Sequence, residues 1–223
     1  MSQTEGPLTR AHLKTPRSAA IAGIVFSVLL TTILWLFRSS VPADPMDPGE
    51  WLAADTRAAA LGLNLIPFAG VSFLWFIGVL RDRLGSLEDR FFATVLLGSA
   101  ILFLAGLFAA AAAMGAVILT ASNLDPGEVA HSATFKYARS AAYIIANVYT
   151  AKMAAVFMVS TSTIIIYTKI APRWIALTGY GLALTLLIVS YAMSWSAIVL
   201  PIWVLLISIH ILVDNLRGPG AAD

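Results

Sequence analysis

The chain predicts an all-α fold, a polytopic transmembrane helical bundle of six spans with both termini cytoplasmic, on three observations. Hydrophobic residues make up 59% of its 223 positions and charged residues only 12%. The apolar residues fall into long, nearly uncharged runs, and a soluble domain of this size could not hide that much apolar surface in one core. Basic residues collect in alternate connecting segments, the pattern that sets orientation in a bilayer. Backbone amides cannot stay unpaired in hydrocarbon, so runs of this length must be helices.

In order, the expected spans are 18–37, 58–80, 91–119, 143–167, 174–189 and 196–213, between cytoplasmic tails 1–17 and 214–223. The first run follows Arg10, Lys14 and Arg17 and resembles a secretory signal, with Val41-Pro42-Ala43 offering a small-residue cleavage pattern. Its length of about 20 residues matches a full span better than a signal's shorter apolar region, so it is read as an uncleaved helix.

Spans two and three are joined by 81–90, a well-capped turn. Arg81 and Arg83 complement a helix C-terminus, Gly85 suits a left-handed stop, and Ser86 with Asp89 can cap the next helix. Asp47-Pro48-Gly49-Glu50 and Asp125-Pro126-Gly127-Glu128 share one tetrapeptide. Each is expected to place a capping aspartate before a first-position proline, so that helices two and four begin outside the membrane. Spans five and six, read as one helix of about 40 residues, would overshoot the bilayer by about 30 Å. A tight hairpin with Tyr191 and Trp195 at the interface is expected instead.

With the N-terminus inside, the inner segments collect Arg10, Lys14, Arg17, Arg81, Arg83, Arg90, Lys169, Arg173 and Arg217. The outer segments hold Arg38, Arg57, Lys136 and Arg139 beside six acidic residues. Nine basic residues against four fix both termini in the cytoplasm.

Composition also excludes chemistry. A net charge of +2 with no basic run outside the membrane flanks gives no footprint for nucleic acid. The chain has no cysteine, which removes disulfides, thiolate metal sites and thiol nucleophiles. No zinc-protease pattern, nucleophile elbow or phosphate-binding glycine loop occurs. No carboxylate lies within a span, against the usual proton- or sodium-coupled transport. Glu128 and His131 form an i, i+3 pair of the kind that supplies half of a helical-bundle metal site. No second such pair follows, so no metal and no cofactor is expected.

Polar residues at bilayer depth are the functional suspects that remain. Lys136, Arg139, Tyr143, Asn147 and Thr150 recur at spacings of three and four along helix four, and small or polar groups continue the stripe from Ala154 to Thr161. That face is expected to meet protein or water rather than lipid. Asn64, just before Pro67 in helix two, should lie at a similar depth and could meet Asn147. Lys152 is the one ionisable group well inside a span; with Tyr149 beside it, snorkelling to the headgroups accounts for it. The candidate vestibule residues are therefore Asn64, Tyr143, Asn147, Thr150 and Lys152. Interhelical hydrogen bonding of about 0.6–2 kcal/mol per contact is the structural alternative. Small residues at spacings of four on helix three, including Gly98, Gly106 and Ala110, mark close helix packing. Ser160, Thr161, Ser162 and Thr163 are expected to return their hydroxyls to their own helix.

Residues 63–109, with VYTAKMAAVFMVSTSTI at 148–164 and APRWIALTGY at 171–180, resemble a group of uncharacterised actinobacterial multi-pass membrane proteins. The Pro172-Arg173-Trp174 start of helix five is also similar to a six-span bacterial domain family of unknown function. The resemblance implies a bacterial plasma-membrane location and six spans, and it carries no activity and no catalytic residue.

The function expected is that of a non-enzymatic accessory or binding subunit, in contact with membrane lipids and with another membrane protein as a further partner. The alternative is a small transporter or a lipid- or small-molecule-binding protein with an outward-facing polar vestibule. An intramembrane enzyme ranks last, because no acid, base or metal cluster converges at one depth.

Overall fold

The computed structural model describes residues 15–84, 90–169, 171–190 and 196–217. It is all-α. The helices are α1 (Thr15–Ser40), α2 (Arg57–Leu84), α3 (Arg90–Asn123), the short α4 (Pro126–His131), α5 (Ala133–Thr168), α6 (Arg173–Val189) and α7 (Val199–Arg217). Five of them, α1, α2, α3, α5 and α7, are long and apolar enough to cross a membrane, and by that measure the chain is a multi-pass membrane protein.

The surface supports this. Trp35 and Trp75 are 69% and 70% exposed, and other large apolar side chains on the same helices face outward with them. A soluble protein does not display contiguous apolar surface on this scale, whereas lipid tails cover it without penalty.

Six spans were expected and five meet the length. α6 has 17 residues, which at 1.5 Å per residue reaches about 26 Å against a hydrocarbon core of about 30 Å. It is nonetheless a separate helix from α7, as the overshoot of a single helix requires. The 81–90 turn residues Gly85, Ser86 and Asp89 and the hairpin residues Tyr191 and Trp195 lie outside the described residues.

Two apolar clusters organise the bundle. In the larger one, Phe73 of α2 touches Phe26 of α1 (centroids 4.5 Å apart), Phe103 of α3 (5.3 Å) and Phe157 of α5 (5.0 Å). The last two are edge-on, an arrangement that suits the ring quadrupoles. α1 lies between α2 and α7, and α6 packs mainly on α5. Trp203 of α7 is buried and donates its indole N–H to the Ile175 carbonyl of α6 at 3.3 Å. The smaller cluster joins Trp51 and Leu52 to Ala59, Met114, Val129 and Phe135, at the end of the bundle where the 41–56 and 124–132 segments meet.

At that end the repeated tetrapeptide splits into two different structures. Asp125 behaves as expected, its carboxylate accepting from the Glu128 N–H at 3.1 Å. It caps only the six-residue α4, however, and Ser132 caps α5 separately through the Phe135 N–H. Asp47 caps no α-helix. Its carboxylate accepts from Gly49 N–H at 2.9 Å, and Gly49 leads into a 3-10 turn, Glu50–Ala53, with φ of 94°. A Cβ at Gly49 would stand 2.8 Å from the Phe135 ring. The backbone therefore needs glycine there twice over, for the left-handed angle and for the close approach. α2 starts later, where Asp55 accepts from Arg57 N–H.

The hydroxyl run in α5 also divides. Ser160 and Thr163 bond back to Val156 and Val159 as expected. Thr161 and Ser162 are fully buried and have no hydrogen-bond partner. Ser162 instead faces Gly179 of α6, as Ser208 of α7 faces Gly23 of α1 and Thr150 of α5 faces Gly106 of α3. At each crossing a partnerless hydroxyl sits against a glycine, and the missing side chain lets the two helices approach closely.

Candidate functional site

A cavity of about 170 Å³ lies between α1, α2, α3, α5 and the 41–45 segment. Its walls change character along the bundle. Leu30, Ile33, Ile66 and Leu107 form the apolar part, and Arg38, Arg139, Tyr143 and Asn147 contribute the polar groups. Arg38 stands two turns beyond Leu30 on α1, about 12 Å along the axis at 1.5 Å per residue. The space thus grades from apolar to cationic towards the 41–45 segment. Its volume is comparable to an apolar cavity that admits benzene, enough for a slim apolar group.

α5 supplies the polar side through a change of helical pitch. It is α-helical to Ile144, takes a π-turn over Ile145–Thr150, and resumes as α-helix at Ala151. Such wide turns are accommodated insertions that re-aim side chains, and they concentrate at functional sites. Asn147 sits in the middle of this turn, its Nδ2 donating to the Tyr143 carbonyl at 3.0 Å and its Oδ1 facing Ser196 Oγ at 3.5 Å. The second contact is too long to hold the side chain firmly.

Arg139 is a closely held charge. It is only 4% exposed, and its Nη2 donates to the carbonyls of Pro42 at 3.2 Å and Asp44 at 2.5 Å. The guanidinium lies 5.4 Å from the Trp51 ring centroid and 6.0 Å from that of Phe135. Its Nη1 is buried without a hydrogen-bond partner. Among the described residues no carboxylate forms an ion pair with Arg139, although Asp47 and Asp44 attract it at longer range. Arg38 is half-buried and interacts electrostatically with Tyr143.

Of the five residues singled out from the sequence, the structure brings Tyr143 and Asn147 to the cavity. Thr150 is buried against Gly106 instead. Lys152 and the neighbouring Tyr149 are exposed on the outside of α5, as a snorkelling pair would be. Asn64 does not meet Asn147. It is exposed on α2 and donates its amide to the Ala60 carbonyl of its own helix. The α2 rotation that buries Ile66 and Ala69 turns residue 64 outward.

Arg38 and Arg139 were not among those five. Arg139 carried a signal, since it stands on the same stripe four residues before Tyr143. Arg38 carried none, because its place beside Tyr143 depends on how α1 and α5 pack. His131 turns its Nδ1 to the Gly127 carbonyl at 2.9 Å, and no three His, Asp or Glu side chains gather among the described residues. Comparison with protein-family models, with curated proteins and with solved structures found no match.

Proposed function

We propose that this chain is a non-enzymatic, six-span protein of the bacterial plasma membrane whose cavity binds a lipid or another small amphiphile at the outer face. The observation that carries this reading is the graded cavity itself, apolar along α1 and polar at Arg38, Arg139, Tyr143 and Asn147. Binding sites for small molecules are concave, mainly apolar, and oriented by a few polar groups of this kind. The basic-residue bias supports placing the 41–56 end outside, and the actinobacterial resemblance supports the membrane assigned. α6 completes an even number of crossings if the bilayer thins locally or its flanking residues extend the span, both of which cost little.

Two variants test the binding site. Ala111→Phe and Ala146→Phe each add a ring to the cavity wall. Protein extracted gently from its native membrane should carry a bound amphiphile by native mass spectrometry, and either variant should lose it while melting near the parent temperature. Retention of the same ligand by both variants would refute the assignment. Sidedness has its own test, made simple by the absence of cysteine. Single cysteines at Ser40 and Ser132 should react with an impermeant maleimide in intact cells, and one at Ser86 should not. Labelling at Ser86 would reverse the orientation.

A further inference from the structure

On the reading that this cavity holds an amphiphile, we infer that its ligand is anionic, with a phosphate or carboxylate head received by Arg139 and Arg38 and a slim apolar chain lying towards Leu30 and Leu107. Three independent features of the structure converge on this chemistry. First, a guanidinium has five N–H donors in a fixed fork, and Arg139 is nine-tenths buried with its Nη1 unmatched. A buried charge missing one set of partners is costly, and an anion held in the cavity that Arg139 lines stabilises that charge.

Second, the groups around Arg139 hold it in place without neutralising it. The Pro42 and Asp44 carbonyls accept from Nη2 and the Trp51 and Phe135 rings flank the guanidinium, all of them uncharged. The acidic 44–47 turn acts only from farther away. Third, a second cation, Arg38, lines the same cavity from α1. Two guanidiniums lining one space repel a cationic head and gain no charge-assisted contact from a neutral one. They are a good host for an oxyanion, which accepts from both. Asn147 then adds an amide deeper in, where a glycerol ester or a carbonyl next to the head would fall.

The chemistry has two sources, a phospholipid of the bilayer and a free fatty acid, and binding assays separate them. Delipidated wild-type protein in neutral detergent should bind dioleoyl phosphatidylglycerol at least about tenfold more tightly than dioleoyl phosphatidylcholine, the difference expected for a charge-assisted contact. Arg38→Gln should erase most of that preference while leaving the Arg139 carbonyl ties intact. Arg139→Gln should do the same, and Arg38→Gln keeps the test valid if that variant fails to fold. Titrated separately, tighter binding of oleate than of phosphatidylglycerol supports the inference with a fatty acid as the source. Tighter binding of phosphatidylglycerol supports it with a phospholipid.

Equal binding of the phosphatidylglycerol and phosphatidylcholine probes, both blocked by Ala146→Phe, would overturn the anionic head and leave the cavity assignment standing. Binding that survives Ala146→Phe and Ala111→Phe would overturn both.

Discussion

Gly179→Ala should destabilise the protein more than any other single added methyl group in its second half. A Cβ there would stand 2.2 Å from Ser162 Oγ and 2.6 Å from the Trp203 ring. Neither neighbour can yield cheaply. Ser162 is fully buried on α5, and Trp203 is buried and tied to the Ile175 carbonyl. α6 must therefore back away from α5 and α7 together. Overpacking of this kind costs about 1–3 kcal/mol, or a fall in melting temperature on the order of 5 °C for a chain this long. Thermal unfolding in detergent, followed by loss of the monodisperse species, measures it. Ser162→Ala in the same background should recover part of the loss, because it removes the nearest clashing atom. An unchanged melting temperature for Gly179→Ala would mean that the helices do not approach as closely as described.

The crossing of α3 and α5 shows what the sequence could and could not convey. Gly106 was legible as a packing residue because small side chains recur every fourth position on α3. Its partner Thr150 was legible only as a polar member of a stripe on α5. That the two face each other follows from the register of two antiparallel helices, which neither segment encodes alone. Ser162 was read as bonding within its helix, a fair expectation for a lone hydroxyl in a span. The glycine of another helix took its place.

The long apolar helices and their order were readable from hydrophobic run length, because the bilayer imposes a length that soluble cores do not. Cap chemistry was readable once and misleading once. Asp125-Pro126 and Asp47-Pro48 are identical locally, yet Gly49 is driven into a left-handed turn under Phe135, a contact that comes from far along the chain. The site was half legible for a related reason. Tyr143 and Asn147 follow from the periodicity of one helix. The cavity itself needs α1 and the 41–45 segment to close around them, and the π-turn at Ile145–Thr150 left no recognisable mark in the sequence.

Phe73→Ala should be the most damaging truncation in the protein, and its size is informative about the solvent. Phe73 is fully buried and its ring meets Phe26, Phe76, Phe103 and Phe157, so its loss empties the point where α1, α2, α3 and α5 converge. In a water-soluble core such a change costs about 3–5 kcal/mol, part of it transfer from water and part the cavity left behind. In a bilayer the transfer part shrinks, because the separated helices would rest in lipid as apolar as the core. The packing part remains, since an empty space has no atoms to replace the lost contacts. About 2–3 kcal/mol is then expected, read as reversible unfolding in mixed micelles.

Trp75, two residues on and 70% exposed, is the control. Its replacement by alanine should change stability by no more than about 0.5 kcal/mol, as for surface positions generally. A large loss at Trp75 with a small one at Phe73 would invert the bundle, placing lipid where the aromatic cluster stands. The expected order, Phe73 costly and Trp75 neutral, holds only if the helices pack by shape and dispersion at Phe73 while hydrocarbon covers the Trp75 face.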